Sequence, residues 1–278
     1  MTMANILVPF DFSPNATTAL DQAILLANQD TLSVAVLHIT NAEVVREYPE
    51  GWKSDKGYKT EEFIRHRLEE VVHSRKTGLL GELPLDITCM VKECAMINGG
   101  LINEMLQNKS DLIIMGTHGA TNALDRFWGS NTSTMINHAL FPILAIPRNW
   151  HAALFTELIA AVSLKEIEKC IGEVVKWSEF IKADTEIVSI SSVPAVDQEI
   201  LDRIMVVHPN VKAHLVPKKD DLPMWRNLVQ FTAPYQNAVL LMFVHERTVL
   251  EKLFNYSITS RVADGIKIPL LALPTGHK

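Results

Sequence analysis

The sequence predicts an α/β protein made of two tandem doubly wound domains, each with a mainly parallel sheet. Three observations carry the prediction. Short apolar runs alternate with helical patterns through the first 150 residues. Several of these runs, "ILV" within "NILVPF" among them, are apolar without alternation, as strands covered on both faces are. The plan then returns in the second half. "NAVLLMFVHERTVLEKLFNYSITSRVADGIKIPLLALP" aligns without a gap on "SDLIIMGTHGATNALDRFWGSNTSTMINHALFPILAIP", at an offset of 127 residues.

Taken in chain order, "NILVPF" is the first strand. "SPNATTALDQAILLANQD" is a helix, with Ser13 as N-cap, Pro14 at the first helical position and Ala19, Leu20, Ala23, Ile24 and Ala27 on one face. "LSVAVLHIT" is the second strand. "TEEFIRHRLEEVVHSRK" is a helix that turns Ile64, Leu68, Val71 and Val72 inward and its charges to solvent. "LDITCMV" and "DLIIMG" are strands on either side of the helix "GGLINEMLQNKS". "SNTSTMINHAL" is the next helix, and "FPILAIP" is a strand bounded by prolines.

Near the domain starts, "ILVPFDF" resembles "LIAAVSL" and "SVAVLHIT" resembles "TEIVSISS", now at an offset of 152. The second copy is therefore shorter between its second and fourth strands, where the first carries "EYPEGWKSDKGYK". The boundary falls near Asn149-Trp150-His151, giving domains 1–149 and 150–278. The "EYPEGWKSDKGYK" segment, with Trp52 and Tyr58 among charges, reads equally as a lid or as an exposed loop.

Composition excludes several classes. The chain has 26 basic against 32 acidic side chains and no dense Lys/Arg run, which disfavours nucleic-acid binding. No apolar stretch approaches the ~20 residues of a membrane span, and "MTMANILVPFDF" reads as a strand and not a signal peptide. Cys89, Cys94 and Cys170 show no paired spacing and read as buried, reduced thiols of a cytoplasmic protein. His66 and His73, seven apart on a charged helix, make a surface pattern and not a metal site. No nucleophile–base arrangement marks a catalytic residue.

The informative motif is "GTHGATNALDRFWGS", with glycines at G-x2-G-x9-G and a serine after the last. Several main-chain N–H groups can converge on a phosphate only where side chains leave room, and glycine supplies that room. Gly116 and Gly119 follow a strand, while Gly129 and Ser130 precede a helix whose N-terminal amides favour an anion. Both ends of the loop thus reach the carboxyl edge of the sheet, where doubly wound folds bind ligands. A Walker A loop and a G-x-G-x2-G fingerprint are both missing.

"VPFDFS", "LHIT" and "MGTHG" with "GS" ten residues on resemble the universal stress protein family. The glycine pattern resembles its ATP-binding members. The resemblance implies a five-stranded parallel α/β domain that dimerises through its last strand. It also implies an adenine nucleotide, ATP or AMP with or without Mg²⁺, slow or absent hydrolysis, and a role in stress response. Carried over residue by residue, Asp11 meets the ribose or adenine, with Pro9 and Phe10 shaping the wall. Ile39 offers its backbone to the adenine edge, and Met115 and Gly116 floor the ribose-phosphate region. Gly119, Gly129, Ser130, Asn131 and Thr132 wrap the phosphates, with His118 inside the same loop. Phe10 and Asn131 depart from the family pattern, which more often has a small polar and an aliphatic residue there.

Bland readings stand beside these. Asp11 caps a turn, Ile39 is core by its side chain, and Thr132 caps a helix. His118 recurs as His245 in the second copy, which points to packing. That copy has Phe243, Glu246 and Tyr256 where the first has Gly116, Gly119 and Gly129, and Ser163 where the first has Asp11. One nucleotide per chain is the expectation. The second half then serves as structural partner, pairing with the first through "FPILAIP" and "IPLLALP" as a dimer within one chain, with further homodimerisation left open.

Overall fold

The computed structural model describes residues 5–30, 32–46, 48–52, 61–117, 130–137, 140–218, 224–244 and 266–274. The chain divides into two compact units, with the main division in sequence at Ala152–Ala153 and with Ile136, Asn137 and Leu140 grouped with the second. Trp150 Nε1–H donates to Gln22 Oε1 at 2.8 Å, and both side chains are buried, so Trp150 closes onto the first helix.

In the first unit the elements are β1 (Asn5–Pro9), α1 (Pro14–Asp30), β2 (Ser33–Thr40), α2 (Ala42–Arg46), a 3₁₀ turn (Glu50–Trp52) and α3 (Glu61–Leu80). They continue with β3 (Ile87–Glu93), α4 (Ile97–Asn108), β4 (Leu112–Gly116), α5 (Ser130–Asn137) and β5 (Ile143–Ile146). The strands pair in the order β3-β2-β1-β4-β5, all parallel. Consecutive residues Ile6, Leu7 and Val8, and likewise Ile113 and Ile114, are almost fully buried, as a sheet covered on both faces requires. Ser13 caps α1 as expected: its Oγ accepts the Ala16 N–H at 3.1 Å and its carbonyl accepts the Thr17 N–H at 3.0 Å. Arg75 of α3 forms a two-pronged ion pair with Asp21 of α1, which holds the two helices together.

The second unit contains β6 (Glu157–Ala161), α6 (Ile167–Ile181), β7 (Asp184–Ser191), α7 (Pro194–Val207), β8 (Val211–Pro217), α8 (Met224–Thr232), β9 (Ala238–Val244) and β10 (Leu270–Pro274). Its strand order is β8-β7-β6-β9-β10, again all parallel. The registers match those of the first unit. Ile6↔Leu112 corresponds to Leu158↔Val239, and Ile113↔Ile143 to Leu240↔Leu270, which preserves the offset of 127 at the last two strands.

One expected alignment shifts. Pro9↔Leu37 corresponds to Ala161↔Val188, so β2 and β7 are related by 151 residues and not 152. The one-residue slip matters because it would exchange the two faces of the strand. In the true register His38 corresponds to Ser189 and Ile39 to Ile190. The offset then drops to 124 at β3/β8, which locates the missing residues between the second and third strands. That is where the first unit carries α2, the 3₁₀ turn and a longer α3. The sequence suggested only a loop or lid for "EYPEGWKSDKGYK"; the described part of that segment holds the 3₁₀ turn, and α2 comes just before it.

Among the described residues, no helix is long and apolar enough to cross a membrane. Of the three thiols only Cys170 is buried, whereas Cys89 and Cys94 are half-buried. Burial, helped by Glu69, pushes the Cys89 thiol up to about 11, which makes it a poor nucleophile.

Candidate functional site

The chain runs from β1 outward through β2 and β3, then crosses back to place β4 on the other side of β1. The first unit's strand order therefore reverses between β1 and β4. The loop after β1 and the end of β4 diverge at that point, which is where doubly wound sheets hold ligands. Pro9, Phe10, Asp11, Met115, Gly116 and the start of α5 all come to this edge. His118, Gly119 and Gly129 lie outside the described residues.

After β1 the chain makes a tight entry into α1. Phe10 N–H donates to the Leu37 carbonyl at 2.8 Å, and Asp11 Oδ1 accepts the Ser13 N–H at 3.0 Å. This Asx-type turn is the capping role weighed for Asp11. Phe12 sits between them at φ 62°, a left-handed conformation that is unfavourable for a residue with a Cβ. Its ring is held in place by edge-on contacts at 5.3 Å to Phe10, 5.0 Å to His38 and 4.8 Å to Trp52.

Ile39 places its side chain in the core, with Cδ1 so near Gly100 of α4 that an added Cβ there would lie 2.8 Å away. Its backbone points elsewhere. Leu37 accepts from β1's side while the Thr40 carbonyl accepts the Cys94 N–H on β3's side. In a parallel ladder alternate residues face opposite neighbours. Ile39, like Leu37, therefore turns its N–H and C=O toward β1, whose last pair is Pro9↔Leu37. Those groups emerge just beyond the end of β1.

Met115 is buried within β4. Gly116, at the end of that strand, has a specific reason to be glycine. A Cβ built there would lie 2.4 Å from Asn15 Nδ2 and 2.9 Å from Asn15 Cγ. The Asn15 amide lies 3.5 Å from the Ile146 carbonyl, so α1, β4 and β5 converge on this one buried side chain. The Gly116 carbonyl in turn accepts the Thr132 hydroxyl at 2.8 Å, and Thr132 is 3% exposed. That bond ties the first turn of α5 to the end of β4. Ser130 opens α5 and Asn131, half-buried, follows it. Of the two helix N-termini at this edge, α1 has Ser13 as a side-chain cap, and α5 brings its first-turn amides beside the end of β4. Thr132→Val should lower stability by about 1 kcal/mol in urea unfolding, because the Gly116 carbonyl loses a partner in a dry setting.

Sequence reasoning missed three residues here: Asn15, His38 and Tyr48. His38 is 1% exposed, in line with Val34 and Val36 on β2. Its Nδ1 lies 2.7 Å from the Phe10 carbonyl and its Nε2 2.7 Å from the Tyr48 hydroxyl. A histidine on the apolar face of a strand signals a bound partner, because burying an imidazole without one is costly. That signal was present in "LHIT". Tyr48 and Trp52 meet at 5.5 Å with their rings tilted by 59°, and Trp52 meets Phe63 at the start of α3 at 6.0 Å. The two ends of the insertion therefore meet, and their aromatic side chains join the loop after β1. Among the described residues, no group of three His, Cys, Asp or Glu side chains is placed to hold a metal ion.

A doubly wound unit with aromatic side chains gathered at its switch point, followed by a second doubly wound unit whose sequence lacks the glycine pattern, defines a two-domain α/β protein. The universal stress protein family model matches residues 3–147. The chain belongs to the universal stress protein family. No curated protein sequence matches it. Among solved structures, it is similar to a universal stress protein from Archaeoglobus fulgidus DSM 4304, at 12% identity and a TM-score of 0.67, over 99% of this chain and 100% of that one. It is also similar to a functionally unknown protein from Pseudomonas aeruginosa PAO1, at 14% identity and a TM-score of 0.66, over 98% and 93%. A third similar structure is the cytoplasmic domain of a prokaryotic cation chloride cotransporter, at 12% identity and a TM-score of 0.56, over 100% and 98%. At these identities the likeness is one of fold.

Proposed function

We propose that the chain binds one adenine nucleotide, ATP or AMP, at the switch point of its first half, and that occupancy makes it a regulator in the stress response. The observation that supports this most is the meeting of two edges. The main chain of Ile39 emerges beyond the end of β1, and the N-terminus of α5 is pinned beside the end of β4 by Thr132. The first suits the hydrogen-bonding rim of a base, and the second suits a phosphate chain. Gly119, Gly129 and Ser130 join the anion end on this reading. Mg²⁺ would arrive with the phosphates, since the described residues supply no separate site for it. Pairing of the two halves through their last strands belongs to the same proposal. So does the assignment of the second half as structural partner.

A second reading has its own support. Gly116 is explained by Asn15, Asp11 by the Ser13 amide, and Thr132 by the Gly116 carbonyl. A scaffold of this fold that holds no nucleotide needs nothing more from these residues. Denaturing the purified protein and identifying any released small molecule by mass spectrometry separates the two, followed by ATP titration of the stripped protein. The expected result is one equivalent per chain. Two equivalents would overturn the asymmetry of the halves, and none would favour the scaffold. Conversion of bound ATP to ADP or AMP at a rate lost in Asp11→Ala would add slow hydrolysis.

A further inference from the structure

His38 is a buried titratable group that the nucleotide reading leaves without a task. A carbonyl can only accept, so His38 Nδ1 carries the hydrogen and donates it to the Phe10 carbonyl at 2.7 Å. In the neutral ring Nε2 is then an acceptor, and the Tyr48 hydroxyl donates to it at 2.7 Å. One imidazole thus joins three pieces of chain: β2, the loop leading to Asp11, and the insertion that carries Tyr48 and Trp52. The second half lacks this arrangement as a unit. There Ser189 stands in the place of His38, and the segment between β7 and α7 is too short to hold a counterpart of α2 and the 3₁₀ turn. The histidine and the segment it grips occur in the same half as the glycine loop.

We propose that His38 is a proton-operated latch. With Nε2 unprotonated it holds Tyr48 and closes the Tyr48–Trp52 segment over the carboxyl end of β1 and β2; taking up a proton opens that cover. The reason is hydration. A protonated ring would be a cation sealed beneath Phe10, Phe12, Tyr48 and Trp52, and letting water in relieves that cost. Burial holds His38 below its ordinary value of 6.5, against opposing contributions from the Phe10 carbonyl and from Asp11. Among the described residues, the charged and titratable groups around the ring are few. Asp11 faces it from the loop, Tyr48 comes from the insertion, and Val91, its register partner on β3, carries no charge. Because the closed form binds the proton more weakly than the open one, the latch is fully effective above about pH 6.5. It weakens as the pH falls from there toward the value of the closed form.

Hydrogen exchange of residues 42–52, corrected for the intrinsic pH dependence of exchange, tests this on the full chain. Between about pH 7.5 and pH 5.5 the opening equilibrium should rise, by up to about tenfold if the open ring titrates near 6.5. His38→Gln should remove the rise, while peptides from α6 and β9 keep wild-type protection in every variant. Tyr48→Phe should exchange faster already at neutral pH and respond less to acid. It carries the test should His38→Gln fail to fold. A wild-type segment with no rise beyond the intrinsic rate, or a His38→Gln protein that keeps the rise, overturns the latch. A further arm rests on the nucleotide reading: dissociation of a fluorescent ATP analogue should accelerate over the same pH range in wild type only. Absence of ATP binding at any pH would sink that reading, leaving exchange alone to decide the latch.

Discussion

Gly116→Ala is expected to lower stability by about 1–3 kcal/mol, the usual consequence of forcing one extra carbon into a packed site. A Cβ here meets Asn15 Nδ2 at 2.4 Å, Cγ at 2.9 Å and the Asn15 main-chain carbon at 3.0 Å. The amide end can swing, but it then abandons the Ile146 carbonyl within a buried setting. The backbone carbon cannot swing without moving the first turn of α1. Adding Asn15→Ala should therefore recover part of the loss, and only part. A double-mutant cycle in urea would show coupling of about 1 kcal/mol or more. Independent, additive losses would mean that something other than Asn15 requires the glycine. In the second half the residue aligned with Gly116 is Phe243, so the close approach that Gly116 allows has no counterpart in the sequence there.

Gly119→Glu should reduce ATP affinity by about a hundredfold or more while leaving the melting temperature close to wild type. The substitution copies Glu246, which stands at the aligned position of the second half. A carboxylate held about 4 Å from a phosphate is worth about 4 kcal/mol of repulsion at an effective dielectric constant of 20. Gly119→Ala separates charge from bulk: a smaller loss there assigns the difference to the carboxylate. Isothermal titration of nucleotide-stripped protein measures both. Unchanged affinity in Gly119→Glu would move the anion away from this loop and strengthen the scaffold reading.

Periodicity and capping made the elements of the first half readable, and the aligned repeat carried the plan to the second. Ser13 and Pro14 announce α1, and the continuous apolar runs announce strands buried on two faces. The gap-free alignment of the last elements matches the equal registers of β4–β5 and β9–β10. The weaker likeness at "SVAVLHIT" misplaced β7 by one residue. Its apolar residues do not alternate, so nothing local fixes the phase. The insertion was similarly opaque, since five-residue α2 and a single 3₁₀ turn are too short to show a period.

The sequence by itself determined the alternation of strand and helix, the repetition of the unit, and the confinement of the glycine loop to one copy, because each is written in spacing along the chain. Only the tertiary structure decided what those residues touch. Gly116 is small because of Asn15, and Asn15 answers to a carbonyl 131 residues away; His38 is tolerated in a buried strand because Phe10 and Tyr48 reach it. Such partners are chosen by the crossing from β1 to β4 and by the folding back of the insertion. Spacing encodes periods, and contacts between distant segments have none.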